Sequence, residues 1–426
     1  PKLDALRNSA QQMGASFGLP DLAVTFEDRV NAAGVEQSAC TLCGDCVSGC
    51  NYGAKNTLLM NYLPDAWSHG AKLFTGIEVR YLERNEDRWK VYYRPTKLKR
   101  ETFDAPEPFV TAETVFVAAG ALGSTEILLR SRREGNLSTS ECLGEGFSGN
   151  GDALGFAYNS DSPVRSVGHG SAEPGEHSPV GPCISGVIDF RDSDQHFDGD
   201  LLVEEGTLPG ALAEFIPAIL ADAASAYGRD TDRGLVDAVR EKGREFDSLI
   251  RGPRNGAVAH SQIYLAMGTD SSDGEMRLED DRLRILWPQV AEAPEFEQIN
   301  TILKDSTAAL GGTYVPNPLW ANWVDQSLIS VHPLGGCRMA DSPEDGVVDD
   351  SGRVFTGEFD ENNQPVVHED LLVCDGSIVP GSVGANPLLT ITALSERICE
   401  RLANRRGWHL DPNPVESAID PPAERP

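Results

Sequence analysis

The side chains best suited to catalysis lie towards the C-terminus of the 426-residue chain. His332 opens the run His332-Pro333-Leu334-Gly335-Gly336, and Asn386 stands in Gly384-Ala385-Asn386-Pro387. Between these runs, an apolar segment at 371–374 leads into Asp375-Gly376. A histidine in a turn fixed by proline and glycine can serve as a general base, because the unperturbed pKa of imidazole lies near neutrality. The pattern predicts that a base, an anchor and a second polar group meet at one place.

A second candidate site is the pattern C-x2-C-x2-C-x3-C, formed by Cys40, Cys43, Cys46 and Cys50. This is the iron–sulfur spacing of bacterial ferredoxins without the proline that usually follows, and a single cluster here would have three local thiolates. Zinc is a second interpretation, although its usual pattern is two well-separated pairs. A third is that the cysteines are small buried residues in a tight turn. The sequence alone does not decide among the iron–sulfur, zinc and metal-free interpretations.

A third candidate site is a strand that leads through small residues into a helix. The apolar run 114–119 is typical of a strand buried on both faces. It passes through Gly120–Thr125 into a predicted helix at 126–132. The free N–H groups at such a helix start favour an anion or dinucleotide contact. The literal G-x-G-x-x-G at 144–149 is not interpreted in this way, because no strand precedes it and no helix follows. Asn150-Gly151 beside it predicts a turn.

The remaining periodicities predict a mixture of helices and strands around these candidate sites. We expect a helix near residues 3–13 and three strands at 72–79, 89–94 and 110–118. A separate α+β unit follows at 186–330, and an acidic loop region is expected at 341–366. Within that unit we expect strands at 201–205 and 257–267, a hairpin at 275–287 and helices at 211–226, 234–250 and 296–310. The final predicted helix spans 388–403.

The charge balance excludes some classes of partner. Lys and Arg number 36 against 66 Asp and Glu, a net charge of −30. Nucleic-acid binding needs a basic surface, so it is not expected. No run approaches the roughly 20 apolar residues of a transmembrane helix, and none is predicted. We expect a cytoplasmic protein, with peripheral membrane association as the alternative.

The C-terminal runs around His332, Asp375-Gly376 and Asn386 together resemble the signature of the glucose–methanol–choline (GMC) flavin oxidoreductases. Three stretches are similar to the cholesterol-oxidase branch, namely Gly53–Leu58, Gly123–Arg132 and Asp375–Gly384. The resemblance covers most of residues 1–410. Members of this family open with a strand, a G-x-G-x-x-G turn and a helix that hold the pyrophosphate of FAD. That opening is not in this sequence, so we expect about 150 further N-terminal residues, the size of one domain segment.

The resemblance implies a mixed α/β fold with an incomplete Rossmann-like FAD-binding domain and a substrate domain of antiparallel sheet and helices. The expected FAD-binding domain comprises residues 70–158 and 363–410, without its N-terminal βαβ unit. The expected substrate domain, with the cysteine-rich loop, comprises residues 1–69 and 159–362. Residues 411–426, rich in proline and glutamate, are expected to form a disordered tail.

The resemblance also implies roles for individual residues. His332 would receive the alcohol proton, and Asn386 would hydrogen-bond the same substrate oxygen, with a helix N-cap as its structural alternative. Glu204 matches the acid/base glutamate of cholesterol oxidases, and the adjacent Glu205 competes for that role. The expected contacts to FAD are Asp375 and Gly376 at the ribityl–phosphate region, Val79, Ala119, Gly120 and Ser124 at the adenine side, and Asn150, Asn386 and Pro387.

Three functional hypotheses follow. The first is an FAD-dependent oxidase of a hydrophobic alcohol, with a sterol as the expected substrate and oxygen as the acceptor. The second is a flavin dehydrogenase that passes electrons through an iron–sulfur cluster at Cys40–Cys50 to an electron-transfer protein. The third is a non-catalytic fragment or subunit.

Overall fold

The computed structural model of the chain describes residues 1–96, 106–172, 177–191, 200–232, 234–317 and 328–410. The first and last described helices end at glycines in the left-handed conformation, Gly14 (φ 66°) and Gly407 (φ 68°), where the missing side chain removes the steric penalty. The helices are α1 Lys2–Met13, α2 Tyr62–Ser68, α3 Gly120–Glu134, α4 Ile216–Tyr227, α5 Leu235–Arg251, α6 Gly256–Ala259, α7 Pro294–Ala308 and α8 Leu388–Arg406.

The strands divide among several sheets. They are β1 Ser16–Gly18, β2 Arg29–Val30, β3 Glu36–Gln37, β4 Ile77–Asn85, β5 Arg88–Pro95, β6 Phe109–Ala112, β7 Val115–Val117, β8 Ala153–Tyr158, β9 Val187–Asp189, β10 Leu201–Glu205, β11 Arg229–Asp230, β12 Gln262–Gly268, β13 Glu275–Glu279, β14 Arg282–Leu286, β15 Thr313–Pro316, β16 Arg353–Phe359 and β17 Pro365–Val373. The largest sheet has the order β1-β9-β10-β12-β8-β15-β11, and smaller ones have the orders β4-β5-β6 and β16-β17-β7.

The seven-stranded sheet is antiparallel throughout and has two different faces. Alternate residues of a strand point to opposite faces, so neighbouring residues of β10 are separated by the sheet. One face packs against α1 and α7 to form a buried core. Its side chains are Ala157, Ile188, Leu201, Val203, Tyr264 and Ala266, with Leu6, Ala10, Phe296, Ile299, Ile302 and Leu303 from the helices.

The opposite face is only partly covered. Helices α4 and α6 pack over one end of it, where Ile216, Leu220 and Val258 meet Ile263 and Val315. On this same face, the strand register places four residues side by side in a row across β9, β10, β12 and β8. In order, they are Val187, Glu204, Leu265 and Leu154. The three apolar members of this row are half-buried. The sheet therefore presents a partly open apolar strip with one carboxylate in it.

The small sheet β16-β17-β7 contains a parallel pair, with Leu371, Leu372 and Val373 opposite Val115, Phe116 and Val117. Helix α3 follows β7 and packs on β4 and on the turn after β17. Parallel strands bring their carboxyl ends to the same edge of a sheet. The turns after β7 and β17, which carry Gly120 and Asp375, thus lie side by side. The predicted mixed α/β fold is confirmed.

Several predicted boundaries are wrong. The strand expected at 72–79 begins at Ile77 and continues to Asn85, and residues 257–259 form α6 rather than the start of a strand. The acidic loop region at 341–366 contains β16, because its apolar Val354 and Phe355 are buried and pair with β17 in one sheet. β8 lies within the segment expected to belong to the FAD-binding domain, yet it pairs in the seven-stranded sheet.

The structure bears on two further expectations. The expected tail at 411–426 lies outside the described residues. Within the described part of the chain, no helix combines the length and apolarity needed to cross a membrane.

Candidate active site

The turn that carries His332 is fixed by close backbone packing. Gly335 and Gly336 have φ angles of 81° and 95°, which strain residues with side chains. A Cβ atom on Gly335 would lie 1.9 Å from the Gly146 carbonyl oxygen, so a side chain is excluded. The Gly335 amide donates to the Gly376 carbonyl over 3.0 Å, and Leu334 and Ser148 exchange backbone hydrogen bonds. The turn is thus held between residues 146–148 and the end of β17.

His332 is paired with a carboxylate that the sequence interpretation missed. Its Nδ1 atom lies 3.0 Å from Oδ1 of Asp152, which is 2% exposed. The other oxygen, Oδ2, accepts hydrogen bonds from the amides of Val331 and His332 at 2.7 and 3.1 Å. Asp152 follows the predicted Asn150-Gly151 turn immediately, but no local pattern connects it with a histidine 180 residues later.

Glu204 and Asn386 are in direct contact. The Asn386 side-chain amide donates to Oε1 of Glu204 over 2.6 Å, whereas Oε2 of Glu204 is buried and has no hydrogen-bond partner among the described residues. Burial raises the pKa of Glu204 to about 7, although Asn386 and the neighbouring His332 act to lower it. The N-cap interpretation of Asn386 is wrong, because Pro387 is the cap residue of α8 and the Asn386 side-chain amide donates to Glu204 instead.

Glu205 has a different environment from Glu204. It points to the opposite face of β10, where both of its oxygens accept hydrogen bonds from Lys2 at 2.7 and 2.8 Å. The Ser185 amide also donates to it. Both members of this ion pair are buried. Strand alternation therefore separates the two glutamates, and only Glu204 lies with Asn386 and His332.

The loop that leads to Asn386 is held by Asn150. The Asn150 side chain donates to the Ala385 carbonyl and accepts from the amides of Val383 and Gly384, over 2.8–3.1 Å. A buried carboxylate that the sequence interpretation missed, Asp270, organises the preceding turn. It accepts from the amides of Gly149 and Gly151. The run Thr269–Asp273 is rich in turn-forming residues, so an Asx turn was the available signal for it.

The predicted cofactor contacts Ala119, Gly120, Ser124, Asp375 and Gly376 come together at the ends of β7 and β17. Oδ2 of Asp375 accepts from the Gly120 amide over 2.9 Å and from the Ser124 hydroxyl. The Ser124 oxygen in turn accepts from the Ala119 amide. This network uses Asp375 to shape the turn into α3. Of the other predicted contacts, Val79 is half-buried on β4 beside a bulge, and Pro387 is buried at the start of α8.

These residues fit the cofactor that the GMC resemblance implies, FAD. Apart from its chain neighbours and the backbone of α3, no described residue places a heavy atom within 4 Å of a Cβ position built on Gly120 (φ 77°), so open space adjoins the turn where the parallel strands end. Dinucleotides bind at such carboxyl ends. The unpartnered Oε2 of Glu204 is an orphaned acceptor at the other end of the candidate site. The turn at Ala119–Gly120 and the segment Asp375–Gly376 would hold the cofactor.

The four cysteines of the motif are partly exposed and line one small pocket together with Val24, Asp45 and Tyr52. Burial raises the pKa of the Cys40 thiol, and the nearby Cys46, Cys43 and Cys50 add to this effect. Within the described residues, no three of these sulfur atoms lie within 4.8 Å of one another. A Zn–S bond of about 2.3 Å would place tetrahedral ligands about 3.8 Å apart. The thiols therefore converge, but they are not arranged for zinc.

The cysteine loop is tied to the segment that follows Glu204. Both oxygens of Asp45 accept backbone amides, from Gly210 at 2.7 Å and Gly170 at 2.8 Å. The Thr207 hydroxyl donates to the Gly44 carbonyl over 2.6 Å. The motif is thus connected directly to the end of β10.

Comparison with known proteins agrees with this architecture. Family models described as GMC oxidoreductase match residues 27–139 and 271–395, together more than half of the chain. A solved FAD-dependent oxidoreductase from Chaetomium thermophilum has the same fold, with a TM-score of 0.55 at 13% identity over 96% of this chain and 73% of that chain.

Two curated proteins are similar over most of the chain. A cholesterol oxidase of Acinetobacter baumannii is 26% identical over 86% of this chain and 62% of that protein. A long-chain-alcohol oxidase of Arabidopsis thaliana is 24% identical over 85% of this chain and 47% of that protein. The chain thus spans less than two thirds of the length of either relative. By its two matched regions and its relatives, the chain belongs to the GMC oxidoreductase family.

Proposed function

We propose that this chain forms the substrate-facing part of an FAD-dependent enzyme that oxidises the CH–OH group of a hydrophobic alcohol, with a sterol as the preferred substrate. The observation that carries the proposal is that Glu204, on an apolar strip, is in contact with Asn386, while burial raises its pKa and the neighbouring His332 acts to lower it. His332 is backed by the buried Asp152, and Asn386 contacts Glu204 directly. A base and a neutral hydrogen-bonding group are what proton removal from an alcohol requires.

The apolar strip supports a hydrophobic substrate. Val187, Leu265 and Leu154 flank Glu204 in one row and remain half-buried, so their side chains are available to a ligand. Ligand sites are mostly apolar, with a few polar groups that fix orientation. A ring system or long alkyl chain on this strip would place its hydroxyl near Glu204 and Asn386.

Each side chain has a distinct task in this proposal. When bound, the flavin supplies the acceptor for the hydride of the alcohol carbon. His332 receives the hydroxyl proton, and Asn386 orients the substrate oxygen. Because the pKa of Glu204 is about 7, this carboxyl group can hold or release a proton near neutral pH. That property suits the acid/base step that shifts a sterol double bond.

The proposal is tested by assaying the flavin-loaded protein with cholesterol, a long-chain primary alcohol and glucose. We expect peroxide formation with cholesterol, weaker activity with the long-chain alcohol and none with glucose. Preference for glucose would contradict the proposed substrate class. A protein that takes up no FAD and remains colourless would instead support a non-catalytic role.

A second candidate function is electron transfer through an iron–sulfur cluster to a separate acceptor protein. Two observations favour it, the convergence of four thiols on one pocket and the hydrogen bonds from their loop to the segment after Glu204. A cluster places iron and sulfide atoms between its thiolates, so it accommodates wider sulfur spacing than a zinc ion does. It would connect the candidate site with the protein surface.

Substitution of Cys43 tests this candidate. Anaerobically purified protein should contain iron and acid-labile sulfide, and Cys43→Ser should remove both, because thiolates hold such clusters. Cys142→Ser, at a buried cysteine outside the motif, is the matched control and should retain them. Absence of iron and of an EPR signal in the reduced wild-type protein would eliminate the cluster and with it this candidate function.

A further inference from the structure

We propose that Asp152 is a positioning residue that keeps His332 protonated on Nδ1 and thereby leaves the lone pair of Nε2 free for the substrate proton. The inference rests on the proposed function of His332 as the base. Asp152 is not among the residues to which the family resemblance assigns a role.

The hydrogen bonds around Asp152 favour its ionised form. Oδ2 accepts from the amides of Val331 and His332 at 2.7 and 3.1 Å. These two backbone donors occupy Oδ2, so it carries no proton. The Ser330 hydroxyl lies 3.2 Å from the same oxygen, but it also donates to the Gly149 carbonyl over 2.9 Å. Oδ1 faces Nδ1 of His332 at 3.0 Å. An ionised carboxylate only accepts hydrogen bonds, so with Asp152 ionised the Nδ1–Oδ1 bond is donated by a protonated Nδ1.

The position of the pair makes this arrangement effective. Asp152 is 2% exposed, so water does not compete strongly for its oxygens. The two amides that bond Oδ2 belong to the segment that carries the imidazole, and the same carboxylate therefore fixes both the backbone and the ring of His332. In a neutral imidazole only one nitrogen carries a proton, and the hydrogen bond at one nitrogen sets the state of the other.

Asp152→Asn distinguishes tautomer control from simple packing. The amide has the same shape but only one acceptor oxygen, and the amides of Val331 and His332 both require that oxygen. The NH2 group of the asparagine must then face Nδ1, which can bond to it only as an acceptor. His332 would carry its proton on Nε2 and present an N–H group to the substrate, so it could not act as the base.

The test is a two-bond ¹H–¹⁵N correlation spectrum of protein labelled at histidine nitrogen, recorded at a pH where imidazole is neutral. His332→Gln identifies the signal. We expect a protonated Nδ1 in the wild type and a protonated Nε2 in Asp152→Asn. In the flavin-loaded Asp152→Asn variant, flavin reduction should slow by about 10²-fold with little change in KM. This is the size of effect expected when the general base carries its proton on the nitrogen that faces the substrate.

Asp270→Asn is the matched control, because Asp270 also accepts two backbone amides of the adjoining turn, but its side chain bonds Ser148 and Ser272 rather than His332. It should lower the melting temperature and leave the tautomer unchanged. Retention of Nδ1–H in Asp152→Asn would overturn the proposal, and so would the same tautomer change in both variants. If the tautomer changes as expected but flavin reduction does not slow, Asp152 sets the tautomer and the base role of His332 fails.

Discussion

Replacement of His332 by glutamine is expected to lower turnover by about 10²–10⁴-fold, the usual contribution of a general base. Glutamine keeps hydrogen-bonding groups near Asp152 but cannot accept a proton near neutral pH. The loss should therefore appear in the rate of flavin reduction at saturating alcohol. The contacts predicted to hold FAD lie around Asp375 and Gly120 rather than at His332, so the bound flavin and its visible spectrum should remain.

His368→Gln provides the matched control for this measurement. His368 lies on β17, where its Nε2 atom is 2.8 Å from the Ser138 carbonyl oxygen and its ring contacts Trp89 edge-on. The substitution should affect stability without changing flavin reduction. Equal reduction rates in His332→Gln and wild-type protein would remove His332 from the mechanism.

Local features of the site could be predicted from the sequence because they depend on near neighbours. The Pro and Gly residues after His332 predicted a fixed turn, and the structure requires glycine there, with positive φ at Gly335 and Gly336. The apolar run into Gly120 predicted a strand buried on both faces and then a helix. β7 and α3 confirm the strand and the helix, but Phe116 of β7 is exposed, so the strand is not buried on both faces. Hydrophobic periodicity, which also depends on near neighbours, located α1, α5, α7 and α8 to within a few residues.

Features that depend on distant residues could not be predicted. The pairing of Asp152 with His332 joins segments 180 residues apart. The choice between Glu204 and Glu205 depends on which face of β10 meets α1, where Lys2 neutralises Glu205. Adjacent strand residues always point to opposite faces, but only the packing decides which face is buried. β8 was not predicted, and its place in the seven-stranded sheet depends on strands from separate segments of the chain.

Glu204→Gln is expected to stabilise the protein at neutral and alkaline pH. Burial raises the pKa of Glu204 from 4.5 to about 7. Between these values the folded protein holds a proton that the unfolded chain has released, so the contribution of Glu204 to the free energy of unfolding falls as pH rises. A shift of this size corresponds to about 3 kcal/mol. Glutamine never ionises, and the variant should keep the stability that the wild type loses.

The measurement is urea unfolding of both proteins at several pH values from 4.5 to above 7. The difference in unfolding free energy should grow in favour of Glu204→Gln across this range and then level off. Glu205→Gln is the control one residue away. It leaves the buried Lys2 without its carboxylate, so it should destabilise the protein by about 3–5 kcal/mol. A difference between Glu204→Gln and the wild type that does not change with pH would mean that Glu204 does not titrate near neutrality, and its acid/base role would fail with it.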